Sequence, residues 1–269
     1  MLISGGSRGV GLAIALRVAQ DGANVVLLAK TAQPHPRLEG TIFTAAEQIR
    51  AAGGTALPVV GDVRDDASIA EAVARARADF GGIDIVVNNA SAIDLSGSLQ
   101  LSEKKYDLMQ DINVRGTFML SRAAIPALAE AGNPHILSLS PPLNPSPKWL
   151  GLHTGYTLSK FGMTMVTLGL AAEFREAGIA ANTLWPRTAI ATAAVRNLLG
   201  GDAVIARSRL PRIYADAAYE VLTSPSREVT GRTLIVEEVL ADAGVRDFSA
   251  YAAVPGTADE ELYPDFFLD

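Results

Sequence analysis

The chain has 269 residues, of which 49% are hydrophobic and 19% charged, with a formal net charge of −6. An acidic chain offers no basic face to nucleic acid, and the absence of cysteine excludes disulfides and thiolate metal sites. No apolar run approaches the roughly 18 residues that a membrane-crossing helix needs, and the length suits one α/β domain able to bury its own core. The composition fits a reducing, cytoplasmic setting. Met1-Leu2-Ile3 runs straight into a glycine loop, without a signal peptide's basic region or cleavage site. So short a first strand leads to the expectation that the true start lies upstream.

Beyond that start, apolar runs alternate with helical stretches. Strands are predicted at Asn24–Ala29 and at 56–60, 83–87, 135–139, 179–184 and 233–236. Helices are predicted at 10–20, 43–52, 67–79, 102–131, 155–177 and 215–222. The alternation implies right-handed βαβ crossovers, hence an α/β fold with a Rossmann-type, doubly wound parallel sheet flanked by helices. No internal repeat or low-complexity linker interrupts it, so a single domain is expected over 1–245, followed by a tail at 246–269. Residues 31–41, with two prolines and a glycine, read as a loop. The tail carries Phe248, Tyr251, Tyr263, Phe266 and Phe267, too many aromatics for a solvated segment. It is expected to pack on the same domain or on a neighbouring subunit.

Four short motifs carry chemistry. Ser4-Gly5-Gly6-Ser7-Arg8-Gly9-Val10-Gly11 opens the first helix. Its glycines let the backbone approach a pyrophosphate, and free N–H groups at the helix start attract the charge. The Gly-x-x-x-Gly-x-Gly spacing departs from the usual dinucleotide fingerprint, and alone it is equally a plain strand-to-helix turn. Gly61-Asp62-Val63 ends the third strand, where a carboxylate either meets an adenine amino group or caps a helix. Asn88-Asn89-Ala90 ends the fourth, as an Asx turn or as a hold on a cofactor ribose and the central strand.

Tyr156 and Lys160, four apart on a helix, share one face with about 6 Å between Cβ atoms. A nearby ammonium favours the phenolate; lowering a tyrosine from ~10 by two units takes roughly 2.7 kcal/mol, within reach in a poorly solvated site. A lone Tyr-x-x-x-Lys is more often an amphipathic surface pair. The four motifs in this order favour the functional reading of each.

With these residues the chain resembles the short-chain dehydrogenase/reductase family over essentially its whole length. Longer strings resemble one subgroup of it: Ala29-Lys30-Thr31-Ala32-Gln33-Pro34-His35-Pro36, Ser140-Pro141-Pro142-Leu143-Asn144, Leu184-Trp185-Pro186 and Pro264-Asp265-Phe266-Phe267-Leu268-Asp269. Eukaryotic members of that subgroup carry an additional sterol-carrier domain; this chain stops before one, so lipid transfer is not expected of it. The resemblance implies that Gly5, Gly9 and Gly11, with Ser7, Arg8 and Val10 between them, hold the pyrophosphate. It assigns Asp62 and Val63 to the adenine and Asn89 to the adenosine ribose region. Tyr156 becomes the general acid/base, Lys160 the group that binds the nicotinamide ribose and lowers the tyrosine pKa, and Asn113 the anchor of a water relay. Pro186 and Thr188 face the nicotinamide carboxamide. Ala29 and Lys30 stand where an acid selects NAD(H), and Arg8 lies in the glycine loop, so charge favours NADP(H).

Two departures stand out. Pro141 occupies the place of the family's carbonyl-binding serine and has no donor, with Ser140 one residue early. Ser140 is carried as the catalytic candidate and Asn144 as its substitute. Arg187 replaces the glycine usual after Pro186 and either binds a substrate anion or points outward. His153, near Tyr156, reads as a polar loop residue. No carboxylate–histidine cluster suggests a metal.

The expected activity is NADP(H)-linked interconversion of a carbonyl and an alcohol. A pocket of Ile93, Leu143, Trp149, Leu150 and Trp185 suits a fatty, terpenoid or steroid-like substrate. The rivals are a cofactor-binding protein without turnover and an enoyl reductase. A homodimer or homotetramer is expected through the helices at 102–131 and 155–177.

Overall fold

Seven short strands, β1 (Leu2–Ser4), β2 (Asn24–Ala29), β3 (Thr55–Val60), β4 (Ile85–Asn88), β5 (His135–Ser138), β6 (Ala180–Trp185) and β7 (Thr233–Ile235), form the centre of the computed structural model, which describes residues 1–35 and 39–268. Eleven α-helices accompany them among those residues: α1 (Gly9–Ala19), α2 (Ile42–Ala51), α3 (Asp66–Phe80), α4 (Glu103–Met109), α5 (Gly116–Leu128), α6 (Pro147–Leu152), α7 (Thr154–Glu173), α8 (Ala193–Leu198), α9 (Gly201–Ala206), α10 (Pro211–Thr223) and α11 (Val236–Asp242). The strands pair in parallel in the order β3-β2-β1-β4-β5-β6-β7.

Strand burial follows the period-2 alternation of a pleated strand. In β2, Val25 and Leu27 face the core under α1, α2, α10 and α11, whereas Val26 and Leu28 face the core under α3, α5 and α7. Apolar side chains on both faces therefore select a sheet covered on both faces. Strand order reverses between β1 and β4, the switch point where doubly wound folds bind ligands. Ser4, Asn88 and Ser138 align there at the strand ends.

The long helix predicted at 102–131 is broken. A π-helical stretch, Gln110–Arg115, separates α4 from α5. Its apolar period runs on smoothly, so the widened turn leaves no mark in the sequence pattern. The missed helices α6, α8, α9 and α11 are six or seven residues long, too short to show a period. In the predicted loop at 31–41, Arg8 donates to the carbonyls of Glu39 (2.9 Å) and Gly40 (2.7 Å), and Thr41 caps α2. Pro36 and Asp269 of the family strings, and residues 36–38 of the predicted loop, lie outside the described residues.

Beyond α11 the chain returns to the sheet's C-terminal edge. Pro264 pairs antiparallel with Thr188, Ala189 N donates to Tyr263 O at 2.9 Å, and Asp265 N donates to Arg187 O at 2.9 Å. This brings residues 266–268 onto α6 and α7.

Candidate active site

The turn after β1 can be tight because Gly5 (φ 68°) and Gly9 (φ 58°) take backbone angles that side chains rarely adopt. Arg8 is the N-cap of α1 and makes no side-chain cap bond, so the first-turn N–H groups receive no side-chain partner from it. The loop is clamped from β4: Asn89 Nδ2 donates to Ser4 O and Gly5 O, both at 2.9 Å. Gly11 makes room for that clamp, since a Cβ there would lie 2.5 Å from Asn89 Nδ2.

Asn88 faces the other way, donating to Ser121 on α5 (2.9 Å) and to Ser138 on β5 (3.3 Å). Of the two readings of the amide pair, both residues thus tie strands together, and Asn89 also borders a cavity.

That cavity measures about 860 Å³ and lies over the switch point. Gly5, Ser7, Arg8, Gly9, Val10, Lys30, Asp62, Val63 and Asn89 all line it. Sequence reading missed its other wall, Thr192, Ala193, Ala194 and Asn197 at the start of α8. The signal available was Thr192, an N-cap that accepts from Val195 N at 3.4 Å. Lys30 is largely exposed, 4.0 Å from Asp62 Oδ2. Asp62 is also bonded by Arg64 at 2.8 Å, and that bond holds its carboxyl below the usual range.

Tyr156, Lys160, Asn113, Ser140, Pro186 and Thr188 are not among the lining residues. Lys160 Nζ donates to Leu139 O at 2.7 Å and lies 5.1 Å from the centre of the Trp185 ring. Burial lowers its pKa to about 7, with Asp265 opposing. Tyr156 is only 5% exposed. Burial, reinforced by Asp265, pushes its phenol well above the ordinary tyrosine range. The direction is opposite to the expected lowering in this arrangement, because loss of water and the nearby Asp265 carboxylate both disfavour the phenolate.

Asn113 sits in the π stretch, fully buried. Its Oδ1 accepts from Ala92 N (2.8 Å), and its Nδ2 donates to Ala92 O and Ser159 Oγ (both 2.9 Å). It fixes the loop after β4 against α7, one turn from Tyr156. Ser140 is also fully buried, and its hydroxyl lies 3.0 Å from Thr164 Oγ1, which donates its own proton to Pro141 O at 2.6 Å. Thr188 Oγ1 is buried with no hydrogen-bond partner among the described residues.

Tyr156 lies in an aromatic cluster with Trp149, Trp185, Phe161, Phe266 and Phe267. Ile93 packs against it, but Leu143 and Leu150 are about half exposed and do not belong to this cluster. Arg187 points outward and pairs with Glu238, which removes it as a substrate anchor. His153 packs on Phe266 with ring centres 5.7 Å apart.

A parallel sheet with this strand order, a glycine loop at its switch point and a buried Tyr-x-x-x-Lys helix beside it define a class. The sequence profile described as short chain dehydrogenase matches residues 1–200, and the chain belongs to that family of oxidoreductases, which bind nicotinamide cofactors. It is 55% identical over all 269 residues to hydroxysteroid dehydrogenase-like protein 2 of Danio rerio, and spans 63% of that relative's length. A short chain dehydrogenase from Mycobacterium thermoresistibile is 58% identical with a TM-score of 0.94, over 100% of this chain and 94% of its own. A putative dehydrogenase from Xanthomonas campestris is 53% identical with a TM-score of 0.95, over 100% of this chain and 97% of its own.

Proposed function

We propose that the protein is an NADP(H)-dependent oxidoreductase that interconverts a carbonyl and an alcohol on an apolar substrate. The observation that carries this reading is the combination of a cofactor-sized cavity at the switch point with a buried Tyr156 and Lys160 pair on α7. Cavities of roughly 300–1,000 Å³ are usual for ligands of this class. The residues present fit the cofactor: positive-φ glycines admit a pyrophosphate, the uncapped start of α1 favours its charge, and the unpartnered Thr188 hydroxyl suits a carboxamide.

When bound, the nicotinamide supplies or takes the hydride. The protein's own share is orientation and proton transfer. The Tyr156 hydroxyl donates a proton to the carbonyl oxygen in reduction and accepts one in oxidation. Lys160 and Asn113 act through α7: the first holds the end of β5, and the second holds the loop after β4. Lys30 and Arg8, with Ala29 in place of an acid, favour a 2′-phosphate, which supports NADP(H) over NAD(H). The cysteine-free composition supports a reducing compartment such as the cytoplasm. No helix among the described residues is long and apolar enough to cross a membrane.

The test is oxidation of NADPH and of NADH with aliphatic and aromatic aldehydes, ketones and enones, with products identified by mass spectrometry. Alcohol products and a preference for NADPH support the proposal. Saturated carbonyls from enones, with no alcohols, make the protein an enoyl reductase. Tight NADPH binding with no turnover of any class leaves a binding protein.

A further inference from the structure

The cofactor cavity stops short of Tyr156, and the chain's own C-terminal segment packs directly on Tyr156. Phe267 is 1% exposed, with its ring centre 5.3 Å from Phe161, 5.7 Å from Trp149, 6.0 Å from Trp185 and 6.1 Å from Tyr156. Phe266 adds edge contacts to Trp149 and Tyr156. The segment is held by specific bonds: Trp185 Nε1 donates to Phe266 O at 2.9 Å, and Asn144 Nδ2 donates to Phe267 O at 3.1 Å. Phe267 also has φ 73°, the one positive value at a non-glycine among the described residues. A bulky residue takes that angle only where its surroundings over-determine it, and such strain gathers at ligand clamps and switches.

We propose that the segment from Pro264 to Leu268 is an internal plug: it fills the place of the substrate's apolar body, and an apolar ligand displaces it to reach Tyr156. The inference rests on the proposed catalytic role of Tyr156 and deepens it by naming the ligand's chemistry. When the plug leaves, a four-sided aromatic slot opens between Trp149, Tyr156, Phe161 and Trp185. The Trp185 indole N–H and the Asn144 amide lose carbonyl acceptors at that moment. The fitting ligand therefore has a long apolar or aromatic body and a carbonyl-type oxygen. The docked state is also the one in which burial and Asp265 hold the Tyr156 phenol protonated. A phenol raised in this way gives up its proton less readily, so docking opposes the donation that reduction needs.

Trp149 and Trp185 are the chain's two tryptophans, so intrinsic fluorescence reports the plug independently of turnover. The wild-type protein, Phe267→Ala and the control Leu101→Ala are each titrated with decanol by calorimetry, and acrylamide quenching is followed in the wild type. The proposal expects Phe267→Ala to bind decanol about tenfold more tightly than the wild type. It expects Leu101→Ala, which trims the side of the same cluster outside the slot and leaves the tail's carbonyl bonds, to stay near the wild-type affinity. Quenching of the wild type should rise as decanol saturates.

Equal binding to all three proteins, or no binding to any, overturns the proposal. Unchanged wild-type quenching at saturation also overturns it, and that arm holds even if Phe267→Ala does not fold. If quenching and affinity behave as expected while no variant oxidises NADPH with decanal, the plug stands and the catalytic reading of Tyr156 falls. If the wild type reduces decanal but shows neither the affinity nor the quenching change, the catalytic reading stands and the plug falls.

Discussion

At the scale of single residues, the account depends on charges placed by the ends of strands. Ala29 stands where an acid would repel a 2′-phosphate, and the exposed ammonium of Lys30 follows it. Ala29→Asp should therefore raise the KM for NADPH by about tenfold or more and improve use of NADH, as steady-state kinetics would show. Unchanged NADPH kinetics would remove the basis for the cofactor preference.

Asp265 supplies a second prediction. Burial raises its folded pKa from 3.8 to about 7, so between those values the folded state holds a proton that the unfolded chain has released. The stabilising contribution is then fully present below pH ~4 and is lost as pH rises towards 7. Denaturation of wild type and Asp265→Asn from pH 4 to 8 should show wild type losing stability relative to the variant over that window. A difference independent of pH would show that the Asp265 carboxyl is not buried in the docked tail.

At the scale of elements, the sequence revealed what is periodic and concealed what is local. β2 and α7 were legible because apolar patterns fixed their type, β2 as the unbroken run Val25 through Leu28 of a strand covered on both faces. The placement of Tyr156 and Lys160 was legible for the same reason, since both sit on a regular helix with a fixed repeat. The π stretch that aims Asn113 was not, because inserting a widened turn leaves composition unchanged. Nor was α8, whose six residues complete the cavity wall. The turn of the Ser140 hydroxyl to Thr164 was invisible because it depends on how β5 meets α7, not on either string alone. The C-terminal aromatics were legible as a packed segment, but their target is set by the antiparallel pairing of Pro264 with Thr188.

The glycine loop offers an element-level test. Gly11→Ala would drive a Cβ against the Asn89 amide that clamps the loop, at 2.5 Å before relaxation. Overpacking of this kind costs about 1–3 kcal/mol, so the Tm should fall by several degrees and NADPH affinity should weaken with it. A variant that melts and binds like the wild type would show that the clamp does not matter.

At the scale of the whole molecule, two outer helix faces remain uncovered. Phe118 on α5 and Leu158 and Met165 on α7 are between 41% and 64% exposed, on the helices expected to pair between subunits. Exposed apolar residues on neighbouring helices suit a second copy of the chain, and sedimentation at micromolar concentration should show a dimer or tetramer. A monomer under those conditions would leave these faces unexplained. The two halves of the site differ in kind. The cavity over the switch point is lined by residues at the ends of β1, β2, β3 and β4, whereas Tyr156 is covered by the chain's own tail.

The central claim is that Tyr156 transfers the proton while the glycine loop holds the cofactor. It is tested most directly by Tyr156→Phe, with NADPH binding followed by titration and turnover followed with the best carbonyl substrate. The account predicts unchanged NADPH affinity with turnover lowered by roughly 10²–10⁴-fold, the usual share of a general acid. Turnover that survives the substitution would contradict it, and loss of NADPH binding would show that Tyr156 serves the fold rather than the reaction.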